Sequence, residues 1–200
     1  MNIKEYPCCV CESSSFNEVY PNRYSLIKST DEYKTMMSAS SHAPLIDALA
    51  ECKVCGHSQT NPRLDMEEVL KGYATAIDPE HVKQDEHREK TFVRAISRIE
   101  SMSTFRNSIG TRVLDIGCAS GAFLNSVTRA FGWKGVGLEP SKWMCEFGKH
   151  SYGLDLRPDY FSADLFDANS FDVVTLWDVI EHISEPNQVL RDVSFVLEDD

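Results

Sequence analysis

From Thr111 onward, apolar residues come in short continuous runs separated by stretches with one apolar face. This is the pattern of buried strands alternating with amphipathic helices. Arg112-Val-Leu-Asp-Ile116 reads as a buried strand ending in the glycine-rich turn Gly117-Cys-Ala-Ser-Gly121. A helix is expected to about Phe131, then a strand Trp133–Glu139, a helix opened by Pro140 and Ser141, a short strand Leu154–Arg157 and a strand Phe171–Trp177. A last helix starts near Ser184-Glu185-Pro186, a cap with proline in the first turn, and runs to about Leu197. Alternation at this spacing implies parallel strands joined by right-handed crossovers. The chain stops at Glu198-Asp-Asp200, where a further strand would follow, so the expected sheet is truncated after its fourth strand.

Upstream the pattern differs. Asp65 is placed to cap a short helix through Tyr73, with Glu67 and Glu68 in its first turn. A second helix is expected from about Pro79 to Phe105, where Phe92, Ile96, Ile99, Met102 and Phe105 recur at steps of four, three, three and three. That stripe needs a surface to dock on, and the C-terminal domain offers one. The first 62 residues are polar, broken by Pro7, Pro21, Pro44, Gly56 and Pro62, and too poor in apolar side chains to build a core unaided. Three segments result: residues 1–62, a helical linker or cap over 63–108, and the strand–helix domain over 109–200.

Charge narrows the function. Of 31 acids and 20 bases, 15 and 7 fall between Ile109 and Asp200, so −8 of the net −11 lies there. That field repels phosphate backbones and argues against nucleic-acid binding. No run approaches the ~20 apolar residues that span a bilayer, and the N-terminus has no apolar stretch of signal-peptide length. A cytoplasmic protein that does not bind membranes is expected.

The chemistry gathers at strand ends. Ligands of open parallel sheets bind at the carboxyl ends of strands, where the strand order reverses. Gly117 and Gly121 let a ligand approach the backbone there. Glu139 ends the second strand, 22 residues after Gly117, where a carboxylate can accept both hydroxyls of a ribose. A dinucleotide needs Gly-x-Gly-x-x-Gly to seat its pyrophosphate. Here the spacing is Gly-x-x-x-Gly, and Asp115 would repel a pyrophosphate but hold an ammonium group. S-adenosylmethionine, with an amino group, a sulfonium and no phosphate, suits these charges.

Val113-Leu-Asp-Ile-Gly-Cys-Ala-Ser-Gly-Ala-Phe-Leu124 resembles the first motif of class I S-adenosylmethionine-dependent methyltransferases. Gly135-Val-Gly-Leu-Glu-Pro-Ser141 is similar to the family's second strand, and Ser170 to His182 to its fourth strand and following loop. The resemblance implies a Rossmann-like, doubly wound, mainly parallel α/β sheet. It places Asp115, Gly117, Cys118 and Gly121 around the methionine end of the cofactor, Glu139 on the ribose and Pro140 beside the adenine. Either Asp159 or Asp164 fills the polar position near the adenine. Trp177 and Asp178 fall beside the transferring methyl group, although Trp177 serves equally as packing.

Five of the seven cysteines lie in the first 55 residues. Cys8/Cys11 and Cys52/Cys55 form two Cys-x-x-Cys knuckles with 40 residues between them. Four thiolates complete a tetrahedral zinc shell with no open position for water, which makes this zinc structural. Cys9 leaves the register open, and His42 or His57 can substitute for a cysteine. Cys118 and Cys145 read as ordinary buried thiols. The run Cys52 to Arg63, followed by Met66 to Tyr73, resembles the zinc-binding N-terminus of a bacterial methyltransferase subfamily. That subfamily includes sugar C-methyltransferases and implies a zinc-ribbon-like domain. The expected activity is methyl transfer to a small-molecule or saccharide acceptor.

Methyl transfer needs an aligned acceptor and, for protonated nucleophiles, a base. Glu181 and His182 follow the fourth strand, and His182 has the intrinsic pKa of a general base; the pair can equally brace the loop. His81, His87 and Tyr73 can line the acceptor side. Two other readings stand beside this one: a zinc-stabilised module or inactive fragment that binds cofactor without turnover, and an NAD-dependent oxidoreductase. Oligomeric state is not legible.

Overall fold

In the computed structural model, which describes residues 3–27, 29, 47–75, 77–102 and 107–198, the four expected strands form one parallel sheet. They are β6 (Arg112–Ile116), β7 (Lys134–Leu138), β8 (Asp155–Arg157) and β9 (Val173–Thr175), in the order β8-β7-β6-β9. Helices α4 (Ala122–Phe131) and α5 (Lys142–Tyr152) make the crossovers, and α6 (Pro186–Val196) follows β9. Buried clusters cover both faces. Val113, Phe123, Leu124, Val127, Trp133 and Leu156 lie in one, and Leu114, Ile116, Leu138, Phe171, Val193 and Val196 in the other. This is a Rossmann-like α/β fold. Leu197 makes a parallel bridge to Phe171 beyond the fourth strand.

The order reverses at β6, which pairs with β7 on one side and β9 on the other. The helices that follow β6 and β9 pack into different clusters, α4 with Phe123 and Val127 in one and α6 with Val193 and Val196 in the other. The two connections therefore part at the strand ends, and the glycine turn lies in that gap. The turn is stitched to the neighbouring strand because the Gly117 and Cys118 N–H groups both donate to the Leu138 carbonyl, at 2.8 and 3.0 Å.

The chain divides into two compact units: Met1–Tyr73 with Ser184–Asn187, and Ala74–Ile183 with Gln188–Asp200. In the second unit, the helix expected from Pro79 is two helices, α2 (Pro79–Val82) and α3 (Asp85–Met102). Asp78 caps α2, its carboxylate accepting from the His81 N–H at 3.0 Å, with Pro79 in the first turn. The break comes where Asp85 is buried and accepts a 2.8 Å hydrogen bond from the Tyr152 hydroxyl. The apolar stripe is also shorter in effect than its spacing suggests. Phe92 and Ile96 are buried, but Ile99 and Met102 are exposed, and Phe105 lies outside the described residues.

The first unit holds two small antiparallel sheets. One pairs β1 (Ile3–Lys4) with β5 (Arg63–Leu64); the other orders β2 (Phe16–Tyr20), β3 (Leu49–Cys52) and β4 (Ser58–Thr60) as β2-β3-β4. Helix α1 (Met66–Ala74) follows, and Asp65 caps it by accepting from the Glu67 N–H at 3.3 Å. No helix among the described residues is long and apolar enough to cross a membrane.

Candidate functional site

Asp115 is the fourth residue of β6, on a strand buried from Val113 to Ile116. It pairs in register with Thr175 of β9, whose hydroxyl donates to its carboxylate at 2.7 Å. Burial pushes its pKa up to about 7, with the nearby Glu139 charge adding to the rise and the Thr175 bond opposing it. A carboxylate so placed favours a cationic ligand.

Gly117 follows with φ +70, and a Cβ there would stand 2.5 Å from the Val179 side chain. The turn therefore needs glycine on both counts and presents bare backbone. Around it a small recess is lined by Asp115, Gly117, Cys118, Ser120, His81, Arg88, Phe92, Phe123 and Trp177. Its enclosed volume, about 20 Å³, suits one small polar group rather than a whole nucleoside. Phe92, Phe123 and Trp177 wall it with ring centroids 5.0 to 5.5 Å apart. The Ser120 hydroxyl and the Trp177 Nε1 are buried with no hydrogen-bond partner among the described residues. Buried polar atoms without partners at a cavity wall are what a polar ligand satisfies.

Glu139 sits just past β7. Its two oxygens accept from the Ala119 and Ser141 N–H groups at 3.1 and 2.9 Å. The carboxylate therefore braces the turn as well as offering its remaining lone pairs, a task that spacing alone did not show. Burial raises its pKa against those two bonds. A buried carboxylate, a half-buried one and a bare backbone turn fit a cationic nucleoside and disfavour a diphosphate.

Of the residues expected around the cofactor, Asp115, Gly117, Cys118 and Trp177 line the recess; Gly121, Glu139, Pro140, Asp159, Asp164 and Asp178 are not in its lining. Asp159, Asp164 and Asp178 are exposed, and Asp178 holds φ +55. Asp159 accepts its neighbour Tyr160's N–H at 2.9 Å, and Asp164 accepts from the Ser162 hydroxyl. Glu181 and His182 occupy an exposed 3-10 turn, outside that lining. His87 is exposed, Tyr73 belongs to the first unit, and His81 is buried in the recess. Burial, then the Arg88 charge, lowers the His81 pKa. Arg88 and Ser120 are additions. Arg88 stands one helical turn before Phe92 and lies over its ring at 5.7 Å, so the apolar stripe itself carried that signal.

In the first unit, the sulfurs of Cys8, Cys11, Cys52 and Cys55 all lie within 4.8 Å of one another. The Cys8–Cys55 and Cys11–Cys52 separations are 3.6 and 3.5 Å. Tetrahedral zinc with Zn–S of about 2.3 Å sets its sulfurs about 3.8 Å apart. Cys9 instead lies 3.2 Å from His57 Nε2, and His42 is outside the described residues. Cys118 and Cys145 are buried thiols whose pKa values burial raises, that of Cys145 to about 11.

Residues 85–200 match the family described as Methyltransferase domain. That is more than half of the chain, which therefore belongs to this family. Two curated relatives share the name ubiquinone biosynthesis O-methyltransferase. The one from Xanthomonas axonopodis pv. citri is 29% identical over 47% of this chain and 41% of its own. The one from Ralstonia nicotianae is 35% identical over 41% of this chain and 37% of its own. The chain thus spans about two-fifths of the curated relatives it matches. A solved SAM-dependent methyltransferase from Aquifex aeolicus is similar at 17% identity and TM-score 0.41, over 68% of this chain and 69% of that one.

Proposed function

We propose that the chain binds S-adenosylmethionine in the gap between β6 and β9 and directs its methyl group to a small-molecule acceptor. One observation carries the reading: Asp115, buried with Thr175 as its hydrogen-bond donor, faces a recess at the strand-order reversal of the sheet. It would hold the cofactor's ammonium group. Glu139 would hold the ribose, with Pro140 and the exposed Asp159 or Asp164 toward the adenine. When bound, the cofactor supplies an electrophilic methyl carbon, whose transfer leaves a neutral thioether and frees a proton from a hydroxyl acceptor.

The chain's own part is orientation, exclusion of water and proton acceptance. The Phe92, Phe123 and Trp177 rings make a dry wall, which strengthens the charges inside it. His81, kept neutral by burial, is the base within the recess lining. Glu181 and His182 lie outside that lining, in the turn after β9 that the His182 backbone N–H closes on the Val179 carbonyl at 2.9 Å. The relatives' shared name favours an oxygen acceptor on a small molecule and gives a saccharide no support. The four thiolates of the first unit would hold a structural zinc.

Calorimetric titration with S-adenosylhomocysteine and, separately, with NAD tests the reading. The nucleoside is expected to bind and the dinucleotide to fail. Tighter binding of NAD would overturn it.

A further inference from the structure

Cys9 stands between two of the sulfurs that converge in the first unit, yet its own thiol meets His57 Nε2, 3.2 Å away. Its N–H donates to Gln59 Oε1 at 3.0 Å, and the Gln59 amide donates in turn to the Pro7 carbonyl at 3.1 Å. Its carbonyl accepts from Asn187 Nδ2 at 2.8 Å, a partner 178 residues away. All three polar groups of this cysteine are therefore engaged, and each partner lies outside the four-sulfur cluster. Asn187 is the second residue of α6, and Ser184–Asn187 belongs to the first unit while the helix from Gln188 belongs to the second. The next side chain marks that boundary. Gln188 keeps its amide within the helix, donating to Asp192 and accepting from Arg191 at 2.8 and 2.7 Å.

We propose that the first Cys-x-x-Cys knuckle is a metal-dependent seat for Ser184–Asn187: metal in the four-thiolate site fixes the Cys9 carbonyl on which Asn187 closes. The proposal rests on the reading that these thiolates hold zinc. Cys9 lies within the loop whose two ends, Cys8 and Cys11, would meet one ion, and the Glu12 N–H closes that loop on the Cys8 carbonyl at 2.8 Å. The ion is what joins the four sulfurs, so its loss removes the constraint that aims the Cys9 carbonyl. The link is reciprocal: if metal orders residues 184–187, those residues strengthen the hold on the metal by the same factor. The segment follows directly on the Ile180–His182 turn, so its release frees the chain just beyond Glu181 and His182. The metal site is thus regulatory as well as structural, and Cys9 carries the link without being a ligand.

Amide hydrogen exchange on the full chain, with zinc bound and after chelation, tests the link. Chelation should raise exchange at Ser184, Glu185 and Asn187 together with β3 and β4, and leave the last turn of α6 unchanged. Asn187→Leu keeps the bulk of the side chain without its donor. With zinc bound it should give the same rise at residues 184–187 while β3 and β4 stay protected. It should also weaken zinc binding about two- to tenfold, the effect of one neutral hydrogen bond, read by competition with a chromophoric chelator. Gln188→Ala, one residue further on, should leave zinc affinity as in the parent. Zinc affinity indifferent to Asn187→Leu, or residues 184–187 indifferent to chelation while β3 and β4 lose protection, would overturn the seat. A parent chain that retains no zinc would instead overturn the metal reading on which the seat rests.

Discussion

The two units of this chain are held together by different means. The parallel-sheet unit has apolar clusters on both faces of its sheet, with Val113, Leu114, Leu124, Val127, Leu156 and Val196 fully buried. Among the described residues, the N-terminal unit has a cluster of two buried residues, Tyr24 and Leu64, packed by Ile27 and Val69. The other buried apolar residues described in it are small: Ala48, Ala50, Cys8 and Cys52. Burial at ~25 cal/mol per Å² carries the first unit, and the described residues of the second supply far less of it. Where so few of the described residues make a core, a cross-link adds most, and the four converging sulfurs are placed to provide one.

The largest expected effect breaks the pair apart. All three tryptophans (Trp133, Trp143 and Trp177) belong to the parallel-sheet unit, so tryptophan emission follows that unit alone. Cys52→Ser, or chelation, should unfold the N-terminal unit, seen as loss of amide protection over β3 and β4, while the urea midpoint by tryptophan emission stays put. In the reverse arm, Leu114→Ala should lower that midpoint by about 3–5 kcal/mol of stability and leave N-terminal protection unchanged. If chelation leaves β3 and β4 protected, the cluster holds no metal that matters to the fold.

The next effect is electrostatic and confined to the sheet unit. Asp115 titrates near 3.8 in an unfolded chain and at about 7 when folded. The folded state therefore binds the extra proton, and the contribution of this group is fully present below about pH 4. It is lost as pH rises through 7, by at most about 4 kcal/mol. Asp115→Asn lacks that loss. The stability of Asp115→Asn relative to the parent should rise between pH 4 and pH 8, read from urea unfolding by tryptophan emission. Glu139 shifts in the same direction but is common to both proteins and cancels in the difference. The same substitution should weaken S-adenosylhomocysteine binding most above pH 7, where the lost carboxylate would have been charged. A constant stability difference across this range would mean that Asp115 stays ionised in the folded protein.

What the sequence made legible follows the same division of causes. The run Val113–Ile116 could only be a buried strand, and the glycine pair after it fixed where the chain turns, so β6 and its turn were readable. The convergence of Cys8, Cys11, Cys52 and Cys55 was readable from the paired Cys-x-x-Cys spacings. Local pattern was silent wherever a partner decided the outcome. Asp85, the first residue of α3, is buried with the Tyr152 hydroxyl as its donor, 67 residues away. The exposure of Ile99 and Met102 depends on what α3 packs against. His81 enters the recess lining because of how α2 docks, which spacing cannot reveal, whereas Arg88, one turn before Phe92, shared the signal of the stripe. The bracing role of Glu139 needed the positions of the Ala119 and Ser141 amides.

The smallest expected effect asks whether the two knuckles are built alike. Glu12 follows Cys11 as Gly56 follows Cys55. The Glu12 N–H donates to the Cys8 carbonyl at 2.8 Å, and the Gly56 N–H to the Cys52 carbonyl at 2.9 Å. Both residues hold positive φ, 61 for Glu12 and 74 for Gly56. The knuckle geometry thus demands the left-handed region in each case, and only the second position carries the residue that enters it freely. A side chain there costs roughly 1–2 kcal/mol. Glycine returns part of that gain through its greater freedom in the unfolded chain, roughly 0.5–1 kcal/mol. Glu12→Gly should therefore stabilise the N-terminal unit by about 0.5–1 kcal/mol. Gly56→Ala should destabilise it by about 1 kcal/mol through the backbone alone, since no atom lies within 4 Å of the added Cβ. Amide exchange at Gln59 and Thr60 reads both. If Glu12→Gly lowers protection instead, the Glu12 side chain supports the first knuckle in a way that the second does not need, and the knuckles are equivalent in backbone only.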